Sequence, residues 1–373
     1  MYYNRNLITA TEHATSTSEA SGVFNLQAQA ILKQAGRWPA VLPFAVQYTI
    51  SNTGAAFELR DSGTVNYEVI WGDGSDIETV TTNNKSHTYA SSGTYSVKLY
   101  TTGSYRPYYN NNTNGDQITA IVIDATANLG TSLFSAFNGS SNMTSFICSS
   151  SVTSTVTNFQ GAWQDCTSLT SFPLIDTSSG TNFATSWRGC TSLASFPLID
   201  TSGGANFYTT WLNCPFTSFP QLDMSSATNL GSTWSGCSNL TSFPSTDLSS
   251  GTSFTSSWYG CSSLTSFPSI DFSSGTTFNT AWRNCTSLTT YPANQFDSTG
   301  TLISSSFANA FLNCALTAQS IENILTSLDT NGASNITLSI NGGTNAAYST
   351  WSTAAQTALT NLTNKGWTVS YNS

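Results

Sequence analysis

Charge is what this chain has least of. Of its 373 residues, 10 are Lys or Arg and 19 are Asp or Glu, so 8% are charged. An ordinary soluble protein carries roughly a quarter. A net charge of −9 without any basic cluster offers no face for a nucleic-acid backbone. It offers no polybasic patch for lipid headgroups either. No apolar run is long enough to span a bilayer, so no membrane insertion is expected. The opening residues, MYYNRNLITATEHATSTSEA, hold no apolar signal-peptide core. The expectation is a chain made in a cytoplasm and not exported by that route.

Histidine is equally scarce, with two in all, His13 and His87. There is no H-E-x-x-H, no G-x-S-x-G and no phosphate-cradling Gly-rich loop with a Lys. Nothing surrounds either His that would build a Ser-His-Asp triad. Metal-thiolate sites use closely spaced Cys pairs, and here the spacing is wide. Paired carboxylates for glycoside hydrolysis need a cleft, which a repetitive polar surface does not suggest. The expectation is no enzyme and no cofactor.

Ser, Thr, Asn and Gly fill the place of charge. Aromatics reach 12%, which separates the chain from disordered compositions. It reads as a multidomain, β-rich protein in four segments. Residues 1–39 form a polar arm with one short helix, on which Val23, Leu26, Ile31 and Leu32 share a face and which Gly36 and Pro39 close. Such a helix is too short to fold alone and implies docking.

Residues 40–125 carry short alternating runs, AVQYTI, NYEVIW, IETVTT, YSVKLYTT and ITAIVID, the pattern of a β-sandwich. Trp71, Gly72, Asp73 and Gly74 form a tight turn, because the glycines allow positive φ and the aspartate can bond its own backbone. His87, Tyr89, Gly93, Tyr95, Val97 and Leu99 follow in an H-x-Y…G-x-Y-x-V-x-L pair. These residues resemble the polycystic-kidney-disease (PKD) type of immunoglobulin-like domain. The resemblance implies a spacer or adhesion module. The stretch TTGSYRPYYNNNTNGDQ reads as an irregular insert before the last strand.

Residues 126–314 repeat. Trp163, Trp187, Trp211, Trp234, Trp258 and Trp282 recur at spacings of 24, 24, 23, 24 and 24, each followed three residues later by Cys166, Cys190, Cys214, Cys237, Cys261 or Cys285. The short spacing falls where Cys214 is followed by PFTSFP. Worn copies at Phe137 with Ser140, and at Phe311 with Cys314, make about eight coils. A repeat of this length means a stacked solenoid whose coils bury one another's apolar face. Phe183, Trp187, Cys190 and Leu193 stand at offsets 4, 3 and 3, which predicts one face of a short helical stretch. A strand of about three residues around Thr-Ser-Phe follows, bent at a proline. The words F-x3-W-x2-CTSLTSFP-x-ID resemble the BspA-like leucine-rich repeats of microbial and viral surface proteins.

Within each coil the Ser and Thr before the Phe would face outward. Thr170, Ser171, Ser195, Thr241, Ser242, Thr265 and Ser266 are therefore the candidate ligand-facing positions. Asp176, Asp200, Asp223, Asp247 and Asp271 form a second column. Each either bonds the N–H groups of its own following turn or contributes to a Ca²⁺ ladder. Arg188 and Arg283, the two cations between 151 and 300, directly follow an anchor Trp; a solvated position and a local contact site both fit. Cysteines at repeat spacing read as core, although thiols of adjacent coils would lie within bridging range.

Residues 315–373 change register. AQSIENILTSLD and TAAQTALTNLTNKG read as helices, NITLSI and WTVSYN as strands, which together would cap the open end of the stack. GVFNLQAQAILKQAGRWP in the arm resembles N-terminal segments of tail-fibre and other virion proteins of marine phages. The resemblance implies a virion-surface protein whose residues 1–39 join other virion proteins. The solenoid would then meet a host-surface glycan or protein, and the fibre would be a homo-oligomer. A capsid decoration or head-fibre protein, and a bacterial cell-surface adhesin, are the alternatives.

Overall fold

A computed structural model describes residues 44–62, 66–101, 103–110 and 115–373. The arm at 1–39 and its expected helix lie outside the described residues. The first unit is built from strands β1 (Val46–Asn52), β2 (Ala56–Arg60), β3 (Tyr67–Ile70), β4 (Glu78–Val80), β5 (Asn84–Thr88), β6 (Gly93–Thr101) and β7 (Ile118–Ile123). Alternation sets the inward face: Val46, Tyr48 and Ile50 on β1 are fully buried. They pair antiparallel with β6 on one side and β7 on the other. Strands β2 and β5 form a separate pair opposite this sheet.

The stretch after β6 is part of the core. Tyr105 and Tyr109 are buried, and the Tyr105 hydroxyl lies 3.0 Å from that of Tyr48. Nor does the sheet end at β7. Strand β8 (Ser145–Cys148), from the first coil of the repeats, pairs parallel with β7 from Ala120↔Ser145 to Ile123↔Cys148. The six-stranded order is β4-β3-β6-β1-β7-β8. The repeat stack therefore grows from an edge of the first unit by backbone pairing.

The helical stretch expected at Phe183–Cys190 is not there. Its N–H groups go in two directions. Those of Phe183, Thr185, Trp187 and Gly189 donate to Asn206, Tyr208, Thr210 and Leu212 of the next coil at 2.8–3.0 Å. Those of Ser186, Arg188 and Cys190 close three-residue turns onto Phe183, Thr185 and Trp187. The cause is a left-handed residue at every fourth position: Thr185 has φ +57° and Gly189 +73°. The same pair recurs at Gly161 and Asp165, Thr209 and Asn213, Ser232 and Gly236, Ser256 and Gly260, and Thr280 and Asn284. Each left-handed residue reverses the winding, so the chain lies flat as linked turns instead of coiling. The offsets 4, 3 and 3 fit both geometries, since both put those side chains on one side. The strand around Thr-Ser-Phe is likewise reduced, to single parallel bridges Ser218↔Ser242↔Ser266↔Thr290. The proline two residues after each of these positions takes away the next donor.

Inside the stack, like lies on like. Consecutive indoles from Trp163 to Trp282 stack with centroids 5.3–6.0 Å apart and planes within 15°. Phe311 continues the column on Trp282 at 4.8 Å and 2°. Each indole also meets the later phenyl of its own coil edge-on, as Trp187 meets Phe196 at 4.8 Å and 75°. Such pairs add about 0.5–1.5 kcal/mol each beyond burial. The six indole N–H groups are buried without an acceptor among the described residues. The one-residue deletion after Cys214 is absorbed by buried Phe216, which stands where other coils have Leu.

Helix α1 (Ala318–Asn331) starts on Thr317, whose hydroxyl accepts from Ser320 N at 3.2 Å, and stops at Gly332 with φ +80°. Helix α2 (Thr353–Asn364) is capped by Ser352 and ended by Gly366 at φ +81°. Strands β9 (Thr337–Ile340) and β10 (Thr368–Tyr371) pair parallel. Phe311 and Asn313 donate backbone bonds to Ser339 and Asn341, so β9 and the residue after it receive the last rung of the ladder.

One close packing recurs in four of the repeats. A Cβ added to Gly180, Gly204, Gly251 or Gly275 would lie 2.4–2.5 Å from Cζ of the Phe three residues on. The coil with Ala227 at this place has Leu230 in place of Phe, while the coil with Val156 keeps Phe159. Gly204→Ala should destabilise by about 1–3 kcal/mol through overpacking, and adding Phe207→Leu should recover part of that. Thermal unfolding of the single and double variants checks this; strictly additive losses would refute the coupling.

Candidate recognition surface of the repeat array

Four groups of side chains carry the chemistry available here, and each begins with how its coil folds. The first is the turn in the amino-terminal unit. Gly72 (φ +86°) passes so close to the neighbouring strand that a Cβ would stand 2.5 Å from Ser96 O. Asp73 accepts from Ser75 N and Oγ at 3.0 and 2.6 Å and lies 2.7 Å from His87 Nε2. His87 stacks on Trp71 at 4.6 Å and 11°, while Tyr89 donates its hydroxyl to Trp71 O at 3.0 Å. Partial burial alone would raise the Asp73 pKa, but the bonds from Ser75 and His87 hold it below the usual carboxylate value. This constellation fixes a turn, and every member is engaged in doing so.

The thiol column comes second. Cys166, Cys190, Cys214, Cys237, Cys261 and Cys285 are all free and fully buried. Each Sγ lies 3.1–3.3 Å from the carbonyl of Phe137 or of the anchor Trp one coil earlier. The small side chain that fills the space beside the indole thus also donates to the preceding coil. Burial pushes the thiols up, to about 12 for Cys261 and for Cys148. They stay protonated at neutral pH and lack the thiolate that reactive cysteines need.

Third is the acid column. Oδ1 of Asp176, Asp200, Asp223, Asp247 and Asp271 accepts the N–H two residues on, at 2.8–3.1 Å. In the first three coils it takes the serine hydroxyl as well, at 2.7 Å. Hydrogen bonds from Ser202 and from Ser249 lower the Asp200 and Asp247 pKa values. These bonds belong to the turn-capping alternative. Among the described residues no three His, Cys, Asp or Glu side chains gather as a Ca²⁺ cage would require.

The fourth group is the Ser/Thr ridge. Thr170, Ser171, Ser195, Thr241, Ser242, Thr265 and Ser266 are all exposed. Their hydroxyls are not all at liberty. Thr241 Oγ1 donates to Thr217 O at 3.1 Å, and Thr265 Oγ1 to Thr241 O at 3.4 Å. Ser242 and Ser266 hold the backbone bridges between coils. The ridge is also uniform: the second position reads Ser171, Ser195, Ser218, Ser242, Ser266 and then Thr290.

Sequence reasoning passed over the opposite case. On the linked turns, two columns change from coil to coil, and Arg188 and Tyr208 are their exposed members. One follows the first stacked Phe or Leu: Gln160, Ala184, Tyr208, Gly231, Thr255, Asn279. The other follows the Trp: Gln164, Arg188, Leu212, Ser235, Tyr259, Arg283. Their spacing from the Trp was visible; the exposure of Arg188 and Tyr208 was not, because a helix would have placed them differently. A pocket lined by Asp271, Ser273, Asn294, Gln295 and Ser298 encloses ≈ 110 Å³, below the roughly 300 Å³ of small-molecule sites.

A PKD-domain family model matches residues 42–119, the first unit through the start of β7. That unit is a PKD-type immunoglobulin-like domain in a β-rich chain with few helices. A comparison with curated proteins returned no match. Among the described residues no helix is long and apolar enough to cross a membrane.

Two outcomes follow. The folded protein should resist alkylation by iodoacetamide, and denaturant should release all eight cysteines; intact-mass spectrometry counts them, and native labelling or a disulfide mass deficit would contradict the thiol column. The lowered carboxyls of Asp73, Asp200 and Asp247 stabilise the fold above their ordinary value of 3.8. That contribution is lost as pH falls through their lower folded values. Tm should therefore drop on acidification below about pH 4, and less so in Asp200→Asn; an equal drop in the variant would contradict the capping role.

Proposed function

We propose that this chain is a non-enzymatic surface protein of a phage particle, a tail fibre or adhesin that presents its repeats for host-surface recognition. The repeats would form a BspA-like leucine-rich-repeat solenoid, and residues 1–39 would join it to other virion proteins. The observation that carries the proposal is the β7–β8 pairing. A PKD-type domain and a stack of polar-coated coils share one sheet. The spacer and the displayed surface are thereby held as a stiff extension, the form a projecting reader requires. Further support comes from the exposed faces of the stack, which are rich in Ser, Thr, Asn and Gln, side chains suited to non-covalent recognition. Homo-oligomerisation follows from the tail-fibre resemblance.

Immunogold labelling of purified virions tests location. Label at the tail supports the fibre; label at the capsid points to a head-fibre or decoration protein. Label on bacterial cells in place of virions would identify a cell-surface adhesin and overturn the phage assignment. Incubation with host polysaccharide should release no reducing ends.

A further inference from the structure

The two variable columns differ from everything else in the coil. Core positions repeat because a stacked neighbour dictates them, and the Ser/Thr ridge is uniform along the coils. Positions free to vary are where a repeat protein can place binding specificity. Tyr208 is the most exposed aromatic in these columns of the array, at 49%. It stands between the two smallest residues of its column. Ala184 is buried, and the ring packs close to Gly231, where a Cβ would come 3.1 Å from Tyr208 Cδ2. One coil earlier, exposed Arg188 is tied to the same point. Thr185 donates its N–H to Tyr208 O at 2.9 Å and accepts from Arg188 N at 3.2 Å. The strained left-handed Thr185 (φ +57°) thus fixes both backbones side by side.

Charge is segregated as well. Between residues 151 and 300 there are seven Asp and two cations, Arg188 and Arg283, both in the second variable column. Neither forms an ion pair with a carboxylate of the described residues. Five of the acids are occupied in capping their own turns. An exposed guanidinium without a carboxylate partner, one coil away from an exposed ring, fits a pyranose that carries a carboxylate. The ring covers the apolar C–H face of the sugar, and the guanidinium takes the acid in a two-bond fork. A protein partner would instead need a contiguous apolar centre in roughly 800 Å² per side. Here the immediate column neighbours are Ala184 and Gly231, followed by Gln160 on one side and Thr255 on the other.

We infer that the turn face around Tyr208 and Arg188 is a binding site for acidic, uronate-type glycans. This rests on host-surface recognition as the function, and names its ligand class and place. The test uses the full chain and a set of oligosaccharides: tetragalacturonate, its carboxyl-reduced counterpart, and neutral glycans, measured by calorimetry. Tetragalacturonate should bind, weakening with salt. Arg188→Gln and Tyr208→Ala should each weaken it at least tenfold, while Tyr208→Phe should retain it, with unchanged Tm in all three. Carboxyl reduction should cost the wild type the same factor and the Arg188→Gln variant nothing further. Binding lost in Thr241→Ala/Ser242→Ala but kept in Tyr208→Ala would overturn the placement while leaving surface recognition intact. Adherence to cells that protease abolishes, without glycan binding, would overturn the ligand class alone. A chain that binds neither glycans nor cells would overturn the recognition function along with the site.

Discussion

The structure rests on a backbone hydrogen bond that leaves the coil. In each repeat, alternate N–H groups around the anchor Trp donate to carbonyls of the next coil, and the intervening ones close short turns. Two left-handed residues per coil make this division of donors possible. Everything else is aligned by it. Once backbones are locked in register, indole must lie on indole, phenyl on phenyl and thiol under carbonyl. Position for position, the core is a set of columns, and a residue acceptable in one coil must be acceptable to its neighbours above and below. A Gly-to-Ala change at 227 is accompanied by a Phe-to-Leu change at 230, whereas another coil combines Val156 with Phe159.

The same constraint explains the chemistry of the surface. A side chain with a structural bond to make is not free to read a ligand, which applies to Thr241 and Thr265 of the Ser/Thr ridge and to the capping aspartates. The turns themselves leave two positions per coil whose residue type is not repeated. There the residue types diverge, and there the aromatic and cationic side chains of the array are found. The amino-terminal domain contributes a sheet edge from which the stack continues without a flexible joint between β7 and β8.

Much of this was legible in the sequence. The 24-residue period, the apolar columns and the strands β1, β3, β4, β6 and β7 follow from spacing and alternation, as do both terminal helices. The turns were not, for a physical reason. Phe183, Trp187, Cys190 and Leu193 share a side whether the chain coils or runs as linked turns, so periodicity alone cannot separate the two. A trace of the answer existed: Asp165, Gly189, Asn213, Gly236, Gly260 and Asn284 occupy one column, and these are residue types that tolerate positive φ. The companion column, with Thr185, Thr209 and Thr280, carries no such signal, because β-branched residues seldom adopt it. Short strands β2 and β5, the buried tyrosines of the stretch after β6, and the exposed members of the variable columns were hidden because only tertiary packing decides them.

Amide hydrogen exchange resolved at Phe183 and Thr185 tests the account most directly. In a helix starting at Phe183 both would be unbonded first-turn donors and would exchange within the range of exposed amides. In the ladder both are bonded to the next coil and should be protected as strongly as Trp187, exchanging only when the stack opens. Fast exchange at Phe183 and Thr185 beside slow exchange at Trp187 would contradict the coil-to-coil ladder.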